Sequence, residues 1–323
     1  MCRLTRTTVI LLAVLALALA ACGPKSATPP TPAADSLEGT VRVSGAWALY
    51  PMMVRWGEEF QKLHPKVRVD VSAGGAGKGV TDALGKLVDL GMVSREIKAE
   101  EVQQGGVFVP VAKDAVFAVV HADNPALADL LSKGVPKQAF VDLWMGGRAL
   151  TWGNVAQSSV ADLVQVYTRS DACGAAEAWA KYLGGMQEDL QGTGVYGDPG
   201  LAEAVKNDRS GIGYNNLNYA YDLKTGKPLQ GLQVLPIDSN GNGKVDPEED
   251  LSTKSQAIAA IISGAYPAPP ARDLYLLAKD SFQGLTREFV RWILTDGQKY
   301  LDEVGYIAPS DSQITKALNN LGK

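Results

Sequence analysis

Apolar and polar positions along the chain fall into three regimes. Residues 9–21 form an almost uninterrupted apolar run behind Arg3 and Arg6. The run is too short to span a membrane comfortably and has the charged-then-apolar order of a secretory signal. Residues 24–36 follow, rich in Pro, Ala and Thr and too poor in apolar side chains to pack, which predicts a tether. From Thr40 onward, short apolar runs alternate with amphipathic ones. Residues 40–44 predict a strand, and residues 50–63 a helix with Met53, Trp56, Phe60 and Leu63 on one face. Period-two alternation over 67–72 predicts a second strand. The turn at 74–79 then opens a helix to about Leu87, before a short strand at 90–93. Two strand-like runs fill 107–121, two short helices 125–145, and a strand at 164–168 enters a helix near Gly174. Residues 232–237 read as a further strand. Alternation of this kind predicts an α/β fold with largely parallel sheets.

Composition narrows the function classes. Of 323 residues, about 300 remain once residues 1–21 are removed as a signal peptide, enough for two lobes with separate cores. The formal charge moves from −4 to about −6 when Arg3 and Arg6 go with it. No basic face for nucleic acid is indicated. The signal ends in Leu19-Ala20-Ala21-Cys22-Gly23, which looks like a bacterial lipobox, so Cys22 is the expected lipid anchor and 22–36 the anchor and tether. Cys2 would be discarded and Cys22 lipidated, leaving Cys173 without a disulfide partner within the chain. Only His64 and His121 are present, which leaves little material for a histidine-based triad or metal site.

The Gly74-Gly75-Ala76-Gly77-Lys78-Gly79 turn lacks the spacing and terminal Lys-Ser/Thr pair of a nucleotide phosphate loop. It does gather backbone N–H groups at a helix start, which suits an anion.

Several segments, in order, resemble the phosphate-binding proteins of phosphate ABC transporters, a group of type II periplasmic binding proteins. They are Ser44-Gly45-Ala46-Trp47-Ala48-Leu49-Tyr50-Pro51, the 74–79 turn, Val88-Asp89-Leu90-Gly91-Met92-Val93-Ser94-Arg95 and Asp123-Asn124-Pro125. Then come Arg169-Ser170-Asp171-Ala172-Cys173-Gly174-Ala175, Gly211-Ile212-Gly213-Tyr214, Tyr266-Pro267, Arg272-Asp273-Leu274-Tyr275 and Gly297-Gln298 with Gly305-Tyr306. The resemblance implies a two-lobed type II fold with a central cleft closed by hinge motion. Residues 37–115 plus 266–323 would form one lobe, 116–236 the other, and 237–265 a connecting segment. It also implies an oxyanion, phosphate by default, passed to ABC permease subunits without catalysis. The anion cradle would use Ala48, Leu49, Gly75, Ala76, Gly77, Cys173, Gly174 and Ala175 at three helix starts, together with Arg169 as a bidentate fork. Ser94 and Arg95 are further candidates.

The departures from the family pattern matter. Ala48, Ala76, Cys173 and Ala175 stand where family members carry hydroxyl side chains, and Ser94 where some carry a carboxylate. Each hydrogen bond to a charged ligand is worth about 1.5–3 kcal/mol. A micromolar affinity amounts to only about 8 kcal/mol. A different small anion, or a binding fold repurposed as a sensor or adhesion module, is therefore the alternative reading. A hydrolase would need a nucleophile with a usable base, and no Ser or Cys here has one by motif. Cys173 at a helix start reads either as a reactive low-pKa thiol or as a small buried side chain.

A second signal is independent of the cleft. Residues 238–249 fit the twelve-residue EF-hand loop, with Asp238, Asn240, Asn242, Asp246 and Glu249 at ligand positions and Lys244 contributing its carbonyl. Gly243 occupies the sharp turn and Val245 the apolar position. A strand rather than a helix is expected before the loop, so bound Ca2+ would act as a structural clamp.

Overall fold

The computed structural model describes residues 37–321; the signal, Cys22 and the tether lie outside the described residues. The strands are β1 (Gly39–Gly45), β2 (Val67–Ala73), β3 (Leu90–Val93), β4 (Gly106–His121), β5 (Val135–Pro136), β6 (Gln165–Arg169), β7 (Thr193–Val195), β8 (Gly211–Asn216), β9 (Leu232–Val234), β10 (Ile237–Asp238) and β11 (Ala271–Lys279). One hydrogen-bonded sheet runs in the order β2-β1-β3-β11-β4-β8-β6-β7, with β9 joining β4 and a separate β10-β5 pair.

The two apolar runs expected over 107–121 are one continuous strand. β4 pairs with β11 from Gly106 to Ala115 and with β8 from Val116 to Val120. Its outer residues therefore belong to different packing layers. The sheet is mixed, not largely parallel: β1 is parallel to β2 and β3, whereas β11 and β8 run antiparallel to β4. The crossing strand supplies most of the antiparallel pairs, with β11, β8 and β9.

Two apolar cores result, and they define a two-lobed type II fold. One gathers Val41, Val43, Met52, Trp56, Leu90, Val109, Leu276, Phe289 and Ile293. The other gathers Val116 to Val120, Trp144, Trp152, Trp179, Ile212 and Tyr214. In the first, the Tyr50–Leu63 helix starts with Pro51 in its first turn, where the missing N–H costs nothing. It buries Met52, Met53, Trp56 and Phe60, and Trp56 Nε1 donates to the Gly297 carbonyl at 2.8 Å. Leu63, expected on that face, lies in the last turn and is exposed. In the second, Trp144 and Trp179 meet edge to face at 5.4 Å, and Trp179 stacks on Tyr214 at 5.9 Å. Smaller differences are local. The helix after the glycine turn stops at Leu84, and the strand read over 232–237 is split into β9 and β10. No helix among the described residues is long and apolar enough to cross a membrane.

The end of β1 sets how closely the site elements approach. Gly45 has φ +130°, and a Cβ there would lie 2.3 Å from the Met92 carbonyl and 2.8 Å from Gly79 Cα. We predict that Gly45→Ala lowers unfolding stability by about 2 kcal/mol, measured by urea denaturation; an unchanged midpoint would show that β1 and β3 can separate without cost.

Candidate anion site between the lobes

Four chain segments meet between the two cores. The first is the 3-10 turn Trp47–Leu49 following β1. The second is the Ala76–Leu84 helix, whose lead-in residues Gly74 and Gly75 both donate to the Gly45 carbonyl, at 2.9 and 3.1 Å. The third is Ser94 and Arg95 after β3, and the fourth the 169–175 segment after β6. The contact across the lobes is direct. Gly77 N–H donates to the Ala172 carbonyl at 3.2 Å, and a Cβ on Gly174 would fall 2.1 Å from the Ser94 carbonyl. Trp47 packs against Gly197 and meets Tyr196 edge-on at 6.3 Å.

The expected donors divide into engaged and open. Leu49 N–H is used by Ala46 O, Gly75 by Gly45 O, Gly77 by Ala172 O, and Cys173 by Gln187 Oε1. The amides of Ala48, Ala76, Gly174 and Ala175 donate to no other group among the described residues. These are first-turn amides, left over by helix geometry and carrying the positive end of the peptide dipoles.

Arg169 is fully buried and held from both sides. Its Nε and Nη2 donate to Asp171 at 2.7 and 2.6 Å, and Nη1 to Asp198 at 2.8 Å. Each terminal nitrogen keeps one further N–H. Burial works against the guanidinium's charge, but Asp198, Cys173 and Asp171 outweigh it and raise its pKa. Asp198 is itself buried and accepts from Asn216 Nδ2 at 2.5 Å. Asn216 Oδ1 accepts from Arg272, which also lies 3.4 Å from Asp114. Burial pushes Asp114 up to about 6 against the opposing pull of Arg272.

Arg95 stands apart from this group. It forms a fork onto Glu101 at 2.6 and 3.0 Å, with Nε 3.2 Å from Glu177. Glu177 lies on the Gly174–Leu183 helix of the second core, so Arg95 ties the lobes together, as does Lys181 to Glu96 at 2.8 Å. Ser94 is buried beside Gly174.

Asp198, Asp114, Asn216 and Arg272 did not emerge from sequence as site residues. Asp198 sits in the first turn of the Gly197–Lys206 helix, where a carboxylate reads simply as a favourable dipole partner. Arg272 was visible only as part of a landmark. Its pairing with Asp114 needs the β11-β4 register, which is not a local signal.

The EF-hand-like loop is a separate feature on the second lobe. Asp238 Oδ1 accepts from the amides of Gly241 and Asn242 at 2.8 and 3.1 Å, and Oδ2 from Gly243 at 3.1 Å. Gly243 has φ +73°. Asn240 and Asn242 converge on Asp246 Oδ2 at 2.8 and 2.7 Å, and Lys244 Nζ lies 2.9 Å from Oδ1. The Lys244, Asn240 and Asn242 contacts hold Asp246 down at about 2. Glu249 closes the loop, accepting from Ser239 at 2.7 Å and Asp246 at 3.2 Å. Val245 N–H donates to Ser132 O at 3.0 Å, anchoring the loop to the neighbouring segment. Among the described residues, no cluster of three or more His, Cys, Asp or Glu side chains is assembled for a metal.

Two apolar cores sharing one crossing strand, with helix starts from both meeting between them, define a solute-binding protein of the periplasmic type. The family model described as the PBP superfamily domain matches residues 29–297, and the chain belongs to that family. It is similar to protein SphX of Synechococcus elongatus, 26% identical over 86% of this chain and 80% of that one. It is also similar to the phosphate-binding protein PstS of Pseudomonas aeruginosa, 24% identical over 92% and 91% of the two chains. Among solved structures, a candidate phosphate ABC transporter substrate-binding protein from Clostridium perfringens, with bound phosphate, superimposes with a TM-score of 0.69. It is 21% identical, covering 84% of this chain and all of that one, and so shares the fold.

Cys173 is the N-cap of the Gly174–Leu183 helix, its Sγ accepting from Ala176 N at 3.4 Å. Burial pushes the thiol up to about 12, although Arg169 pulls the other way. With Cys173 only 5% exposed, its surroundings favour the small buried side chain over the reactive thiol. A thiol reagent at pH 8 should leave Cys173 unmodified in the native protein and label it in urea, as located by peptide mass spectrometry; rapid native labelling would contradict the burial.

Proposed function

We propose that this protein is an extracytoplasmic receptor that captures phosphate and delivers it to an ABC transporter, tethered to the membrane through lipidated Cys22. The observation that carries the reading is the set of open first-turn amides on both lobes, with a buried Arg169 on the segment that leads into the Gly174–Leu183 helix. Backbone donors cost no side-chain entropy on binding, and a helix start favours negative charge. They offset the hydroxyl side chains that the sequence lacks at Ala48, Ala76, Cys173 and Ala175. The relatives named for phosphate binding align over most of both chains, which favours phosphate over other oxyanions. Binding and release by lobe closure suffice for this role, so no catalytic step is assigned.

Calorimetric titration of the purified protein with phosphate, then sulfate, arsenate and molybdate, tests this. Phosphate should bind with micromolar or better affinity. Arg169→Lys should weaken it by about 1.5–3 kcal/mol, the worth of a lost charged hydrogen bond, with folding checked by thermal melting. A folded protein giving no heat with any of these anions sinks the oxyanion assignment and moves the reading to another solute or a repurposed module.

A second reading concerns the 238–249 loop, which we propose binds Ca2+ as a structural clamp through Asp238, Asn240, Asn242, the Lys244 carbonyl, Asp246 and Glu249. What favours it is the way one carboxylate, Asp238, gathers three successive amides around a left-handed Gly243. Oxygen ligands at these spacings suit a hard cation. At a hundredfold excess over its dissociation constant, a ligand adds about 2.7 kcal/mol to stability. Differential scanning calorimetry should show a rise in melting temperature with Ca2+ that Glu249→Gln abolishes; equal melting in calcium and in chelator removes the clamp.

A further inference from the structure

Six side chains form one buried, hydrogen-bonded series from the segment beside the cleft to the strands that cross between the lobes. Asp171 and Asp198 hold Arg169, Asp198 accepts from Asn216, Asn216 accepts from Arg272, and Arg272 faces Asp114. Asp198 and Asp114 are each 1% exposed, and the Arg272 side chain is 8% exposed. Arg272 and Asp114 are register partners on β11 and β4, at the point where β4 leaves one core for the other. Arg272 does more than balance that carboxylate. Its Nη1 donates to the Gly174 carbonyl at 3.1 Å, at the start of the helix whose first amides are open. Its Nε is buried and donates to nothing among the described residues. Buried ion networks are costly to desolvate and often add little stability, and an unpaired buried donor adds to that cost. Stability alone gives no reason to keep this arrangement.

We infer that Arg272 is a positioning residue for oxyanion capture, holding the Gly174 helix start and, through Asn216 and Asp198, the Arg169 guanidinium in register with the crossing strands. The inference rests on the proposed function for its ligand, but its geometry does not. A guanidinium is suited to the task because it presents fixed, divergent donors to Gly174 and Asn216 at once. A lysine ammonium at the end of a flexible stem cannot hold both in the same geometry. The pull on the helix start runs along a strand shared by the two lobes, so the amides that meet the anion are set by the element about which the lobes move.

The test compares Arg272→Met, Arg272→Lys and Asn216→Leu with the wild-type protein by amide hydrogen exchange and by phosphate calorimetry. Without phosphate, exchange at Cys173, Ala176 and Glu177 should rise about tenfold in Arg272→Met and Asn216→Leu, with β1 and β2 unchanged and Arg272→Lys in between. Phosphate affinity should fall about tenfold in the same two variants. Unchanged local exchange overturns the positioning role whatever the calorimetry gives, as does an equal rise in both lobes. If the wild type binds no phosphate, the receptor reading fails while the exchange pattern still decides Arg272. Local loosening with wild-type phosphate affinity overturns the link to capture.

Discussion

The buried charge series between Asp171 and Asp114 is the constraint on which the cleft depends. Three carboxylates and two guanidiniums have been removed from water within one connected group. Such charges are tolerated only when each is paired and hydrogen-bonded, because the effective desolvation penalty is several kcal/mol per ion. The pairing therefore dictates where β6, β8, β11 and the Gly197–Lys206 helix can sit relative to one another. The two apolar cores supply most of the driving force for folding, but they would accommodate small slips between these elements. The charge series does not, since a displacement that breaks one link strands a buried ion.

β4 has the corresponding role in the backbone. One strand contributes Val109 to one core and Val116 to Val120 to the other. It exchanges its antiparallel partner from β11 to β8 at Ala115 and Val116. A bend at this change of partner would leave the ladder hydrogen bonds on either side intact. The same place carries Asp114, whose amide-accepting carboxylate is fixed to Leu217 at 3.1 Å. Chemistry and mechanics thus coincide at the crossing.

Much of this was legible in the sequence, and the limits have physical reasons. Period-two alternation placed β2 and a 3.6-residue pattern the Tyr50–Leu63 helix, while β1 and the fully buried β3 were legible as short apolar runs. They failed over 107–121, where β4 is buried on both faces only from Asp114 to Val120, so one strand shows two different patterns. The three helix starts were legible because glycine and small residues mark them. What these amides bond to was not, since Gly77 reaches Ala172 and Cys173 reaches Gln187 only through tertiary structure. Arg169 stood out as a charged residue in a motif. Its partner Asp198 did not, being twenty-nine positions away on a helix turn where an acid needs no special explanation. Arg95 was legible as a charge near the cleft, while its commitment to Glu101 and Glu177 depends on how the lobes meet.

The hydrogen bond from Gly77 to the Ala172 carbonyl, with Gly174 pressed against Ser94, has a consequence for signalling. These contacts join the lobes directly, reinforced by Arg95 with Glu177 and Lys181 with Glu96. Bonds between the lobes enter the free-energy difference between open and closed arrangements, so these residues set part of the closure equilibrium without touching a ligand. A partner that reads the closed outline would therefore respond to substitutions at Gly77, Gly174, Arg95 or Lys181 as well as to the solute.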